Sequence, residues 1–85
     1  PMDYYQQFLG AYLTDNRQKL VSSLSRDDFF SLLTSRAEAA AAAFEQARLA
    51  GHDVNTAQEL AMRVLVDGLE SGEVPSEPSP RTGLM

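Results

Sequence analysis

The sequence predicts an all-α fold: a small three-helix bundle with a long central helix, a short connector helix and a disordered C-terminal tail. Three observations carry this expectation. Apolar residues recur at three- and four-residue spacing through most of the first 70 positions. Helix start and stop signals bracket Ser25–Gly51, and no proline or glycine falls between them. Pro75, Pro78 and Pro80 crowd the last stretch beside serine and glutamate, a composition that cannot build a packed element. The division is a helical domain over 1–70 and a Pro/Ser/Glu tail over 71–85.

The first element runs from Asp3 to about Asn16. Tyr5, Phe8, Leu9, Tyr12 and Leu13 share one helical face, and Asp3 favours the positive end of the helix. Gly10 costs up to ~1 kcal/mol inside a helix unless a neighbouring backbone must come close there. The tyrosines read as core bodies with wet hydroxyl tips. Asp15-Asn16 is a turn signal, and Leu20, Val21 and Leu24 then support one or two turns of a connector.

In the central stretch, Ser25-Arg-Asp-Asp28 matches a capping box with Asp28 in place of the usual Glu or Gln. Gly51 is the glycine expected just past a helix end. Phe30, Leu33, Ala37, Ala40 or Ala41, Phe44 and Ala47 form a stripe, bulky at both ends and small in the middle. Ala39–Ala43 is bare enough for another helix to approach, and the first or third helix of the same chain is expected there. Gly10 offers a matching small surface. Asn55-Thr-Ala-Gln58 is a second start signal, with Asn55 as N-cap. Ala57, Leu60, Ala61, Val64, Leu65, Gly68 and Leu69 then give an apolar face over Thr56–Leu69. Val54 is placed to staple onto Glu59 or Leu60.

At 85 residues the chain makes one small domain. A chain of this size buries about 60% of the surface it exposes when unfolded, so its core is thin. It has no cysteine, which removes disulfides and thiolate metal sites and fits a reducing compartment. Pro1 ahead of Met2 reads as a cloning remnant, with Met2 as the natural start and no signal peptide following. No window approaches the ~18–20 apolar residues of a membrane span. A cytoplasmic protein with no membrane contact is expected.

Twelve acidic residues against seven basic give a net charge of −5, which argues against a phosphate-neutralising nucleic-acid surface. The acids are scattered, so no dense strip imitating DNA is written into the chain. The helix–turn–helix reading rests on Ala47-x3-Gly51 ahead of a capped helix, but Gln58 and Arg63 are offset by Glu59, Asp67 and Glu70.

Catalytic signals are missing. His52 is the single histidine and sits in a turn beside Asp53, where a solvated side chain near a helix end is the plain reading. The serines lack a histidine base at a recognisable spacing, and no nucleophile elbow, phosphate loop or H-E-x-x-H occurs. Glu38 and Glu45 are ordinary helix-surface carboxylates. No enzyme activity, cofactor or metal is expected.

The order Tyr4-Tyr5, Tyr12-Leu13, Phe30, Arg36-Ala37, Ala40, Phe44-Glu45, Ala47-Arg48, Gly51, Ala57-Gln58-Glu59-Leu60-Ala61 and Leu65 to Gly68-Leu69 has a precedent. It resembles the N-terminal helical region of an uncharacterised Bacteroidota family associated with conjugative transposons, a domain of unknown function. The match covers Tyr4 to about Leu69. It implies an all-helical fold and a mobile-element context, and it supplies no catalytic residues. In that family further helices follow this region, whereas here the chain continues into the proline-rich tail.

The expected function is therefore a non-enzymatic protein–protein interaction module of a mobile genetic element. Its partner is another protein or a second copy, since the central helix is expected to overhang so small a core. A small acidic inhibitor of a host defence or toxin protein is the alternative, and a helix–turn–helix DNA-binding regulator the third. Phe29, Met62 and Val66 fall off the main stripes and are the candidate partner contacts.

Overall fold

The computed structural model describes residues 2–70. Four helices follow one another: α1 (Tyr4–Asn16), α2 (Gln18–Ser23), α3 (Arg26–Leu49) and α4 (Val54–Val66). No strand occurs among the described residues. The 71–85 tail lies outside them.

Each helix begins where its sequence provides an acceptor. The Asp3 carboxylate accepts from the Gln6 amide at 2.9 Å, and the Asp3 amide donates back to Gln6 Oε1 at 3.0 Å, a complete capping box. Ser25 Oγ accepts from the Asp28 amide at 3.0 Å, and Asp27 and Asp28 place negative charge on the first turn of α3. Arg17, at φ −134° and ψ 52°, breaks the chain between α1 and α2. The short α2 still packs Leu20 and Val21 against the core.

The end of α3 closes in a Schellman motif. The His52 amide donates to the Ala47 carbonyl and the Gly51 amide to that of Arg48, each at 3.0 Å. Gly51 sits at φ +98°, where a side chain is strained. This closure delivers the chain directly to Asp53, whose carboxylate accepts from the Thr56 amide at 2.8 Å. Asp53, not Asn55, therefore caps α4, and the helix starts at Val54. Val54 is 55% exposed and makes no buried staple.

Leu9, Leu13, Leu33 and Leu65 are the large side chains buried completely. Each contributes about 1.5–3 kcal/mol by leaving water. Ala37, Ala40 and Ala47 on α3 and Ala57 and Ala61 on α4 fill the rest, and α3 and α4 share the most extensive contact in the fold. The alanine run is thus where α4 comes close, while Ala39, Ala41 and Ala42 stay exposed. Buried positions run from Leu33 to Ala47, so α3 is covered along most of its length and does not overhang the core.

Several positions differ from the sequence expectation. Phe30 is 51% exposed, and Phe29 takes the place beside the core. Position 29 lies one turn before Leu33 on the same row, whereas position 30 is rotated off it by about 100°. On α1, Leu9 and Leu13 hold the centre of the buried face, which leaves Phe8 at its edge and 38% exposed. Gly10 faces the Leu33 side chain, not the alanine run, and a Cβ built there would meet Leu33 Cδ1 at an ordinary 3.5 Å. Leu60 and Val64 are half-buried. Finally, α4 stops at Val66, because Gly68 adopts φ +75° and turns the chain away.

Two side chains of the first half hold that turn. The Arg17 guanidinium donates to the Leu69 carbonyl at 3.1 Å, and the Tyr12 hydroxyl to the Glu70 carbonyl at 2.7 Å. Residues 67–70 are thereby strapped across the end of α1.

A candidate interaction surface

Tyr4, Phe8 and Tyr12 recur every four residues and so stand in one row along α1. The Tyr4 and Phe8 ring centres are 6.2 Å apart, and those of Phe8 and Tyr12 6.3 Å apart with planes only 8° from parallel. Tyr5 leans on the row, edge-on to Tyr4 at 5.7 Å. Tyr4 is 60% exposed, Phe8 38%, and Tyr12 half-buried. The row is an aromatic ladder with its outer rungs in solvent.

The ladder flanks the seam between α1 and α4. The Tyr5 hydroxyl donates to Gln58 Oε1 at 3.1 Å across that seam. Burial, then the neighbouring Tyr4 and Asp3, push the Tyr5 phenol above its ordinary value of 10.0, so it remains a donor to higher pH than a free phenol. Met62 and Val66 follow Gln58 at four-residue steps on α4, on the same row, and pack half-buried against the core. Helical spacing thus sets these two predicted contact residues on the same row of α4 as Gln58.

Phe29 is elsewhere. It lines a groove between α1 and α3 with Met2, Gly10, Ala11, Thr14 and Leu33. Gly10 and Phe8 lie on opposite flanks of α1, two residues and about 200° apart, so Phe29 and the ladder belong to different surfaces. On the α1–α3 side, Gln6 Nε2 donates to Thr34 Oγ1 at 3.1 Å.

Several charged groups serve the fold itself. Asp3 and Asp53 cap helices. Arg17 and Arg36 donate to the Leu69 and Val64 carbonyls, and Arg48 to that of His52 at 2.7 Å. His52 is exposed, and the fold uses its backbone. Among the described residues, no three His, Asp or Glu side chains gather as a metal site would require. No described helix is long and apolar enough to cross a membrane.

Tyr4 and Phe8 were absent from the contact residues expected from sequence, although the 4–8–12 spacing was visible there. The same spacing serves a buried stripe equally well, and only the position of α4 shows which rungs stay outside.

Fold and surface together define a class: a small all-helical domain with a thin leucine–alanine core and an exposed aromatic row. The chain belongs to the family described as a domain of unknown function, DUF1896, whose model matches residues 1–73. No curated protein and no solved structure matches it.

Proposed function

We propose that this domain is a non-enzymatic protein–protein interaction module of a mobile genetic element, acting in the cytoplasm. The observation that carries the interaction reading is the Tyr4–Phe8–Tyr12 ladder. Aromatic rings supply large contact area at little entropic cost and dominate the energetics of many interfaces. A domain with few large buried side chains gains more by hiding Phe8 than by exposing it, so its exposure fits a surface built for contact. Met62 and Val66 extend the same seam with flexible and branched aliphatic groups.

The mobile-element context rests on the family resemblance of Tyr4–Leu69. The engaged arginines weigh against a DNA-reading surface, since three of them are turned to carbonyls of their own chain.

The test is capture of partners from the native host on the immobilised domain, followed by titration calorimetry with the purified partner. Tyr4→Ser and Phe8→Ser are expected to weaken that binding at least tenfold while the helical circular dichroism is retained. Unchanged affinity in both variants overturns the reading. Light scattering of the domain alone identifies a second copy as the partner.

A further inference from the structure

The exposed aromatic row on α1 is bordered by negative charge. α1 contains no lysine or arginine, and its only charged residue is Asp15. That residue lies seven positions after Phe8, within about 20° of it around the helix, so the exposed Asp15 carboxylate continues the row beyond Tyr12. Asp3 caps the other end beside Tyr4. Glu70, whose carbonyl accepts from Tyr12, adds a third exposed acid at the inner end. The next cation in the chain, Arg17, has its guanidinium on the Leu69 carbonyl at 3.1 Å. Asp15 is also unfavourable to its own helix, since it puts negative charge at the negative end of the dipole, where no basic residue answers it.

We infer that the Tyr4–Phe8–Tyr12 ladder binds an arginine-bearing helix of a partner protein, each guanidinium resting on a ring while the flanking acids draw the cations in. The inference rests on the ladder being a contact surface and adds the chemistry of what it contacts.

Spacing and charge both select that occupant. The ring centres stand 6.2 and 6.3 Å apart, and four residues of a helix rise about 6 Å. Arginines at every fourth position of a helix lying along α1 therefore meet successive rungs. Arginine suits the site better than lysine, because its flat guanidinium stacks on rings while its N–H groups reach carboxylates. Nucleic-acid bases also stack on aromatic rows, but that mode needs a positive groove for the phosphates, and Asp3, Asp15 and Glu70 repel them. A second copy laid antiparallel on the row would set like charges against each other at both ends. The net charge of −5 draws a basic partner from a distance as well.

Titration of the full chain with a helical peptide of Arg-Ala-Ala-Ala repeats, followed by amide chemical shifts, tests this. The shifts are expected to concentrate at Tyr4, Phe8, Tyr12 and Asp15, and binding to weaken as salt is raised. Phe8→Leu keeps an apolar side chain and every charge, and is expected to weaken binding about threefold. Asp15→Asn with Glu70→Gln keeps every ring and is expected to cost about threefold as well. Asp3 is left in place because it caps α1, and circular dichroism checks that each variant stays helical. Shifts centred on another face overturn the inference, as does the absence of shifts at millimolar peptide. Unchanged affinity in either variant, or equal affinity for the same peptide with glutamine in place of arginine, overturns it too. None of these outcomes touches a captured partner whose binding needs Tyr4 and Phe8, so the contact reading and the chemistry assigned to it fail separately.

Discussion

The Tyr12 hydroxyl donates to the Glu70 carbonyl at 2.7 Å and so joins residues 58 positions apart. With Arg17 on Leu69, it converts the loose exit of α4 into a strap across α1. The strap adds to the buried cluster that Leu9 and Leu13 of α1 form with Ala61 and Leu65 of α4, and to the Tyr5–Gln58 bond, in holding the first and last helices together.

Tyr12→Phe removes that bond and keeps the ring. The expected loss is about 0.5–1 kcal/mol, toward the low end for a hydrogen bond because the site is exposed. Thermal unfolding should report it as a fall of a few degrees in Tm. Amide exchange should accelerate at Leu69, whose amide donates to Val66 at 2.8 Å within the same turn. An unchanged Tm and unchanged exchange would show that the strap contributes nothing.

Gly10→Ala is expected to stabilise the domain. The residue is inside α1, where glycine costs about 1 kcal/mol relative to alanine. The new methyl would rest 3.5 Å from Leu33 Cδ1, an ordinary contact. Chemical denaturation should show a higher midpoint with the same slope.

Adjacent alanines of α3 should answer oppositely to enlargement. Ala40 is completely buried, and Ala40→Leu forces extra volume between α3 and α4 at a cost of about 1–3 kcal/mol. Ala41 is exposed, and Ala41→Leu should leave stability within about 0.5 kcal/mol. Equal effects would place the α3–α4 contact elsewhere.

The start of α4 can be checked by substitution and by pH. Asp53→Ala should lower Tm, whereas Asn55→Ala should not, because the Asp53 carboxylate is the group that accepts from Thr56. That backbone bond, then a bond from the Thr56 side chain, holds the Asp53 carboxyl below its ordinary 3.8, with smaller help from Arg48 and His52. A lowered folded-state pKa gives stability that is present above about pH 3.8 and lost as pH falls through the folded value. Acid titration of Asp53→Ala should lack this part of the loss.

Much of the architecture was legible in the sequence because it is set locally. Asp3, Ser25 and Gly51 mark helix ends through bonds to residues within five positions of them. The length of α3 follows from its lack of breakers, and the alanine run could only receive a neighbouring helix. Where two local signals competed, the folded chain chose between them. Asp53 and Asn55 could each cap α4, and the Schellman turn brought the chain to Asp53 first. Phe29 and Phe30 are equally apolar, and the row fixed by Leu33 buried one and exposed the other. The surface depended on tertiary structure more heavily still. Spacing places Tyr4, Phe8 and Tyr12 in a row, but a row becomes core or surface only once its neighbour is positioned. That neighbour, α4, is set by contacts about fifty residues apart in the chain, such as Tyr5 with Gln58 and Arg17 with Leu69. Local periodicity carries no information about such pairs. The sequence by itself therefore determined the helices and their ends, and the docking of α4 decided which aromatic rings face outward.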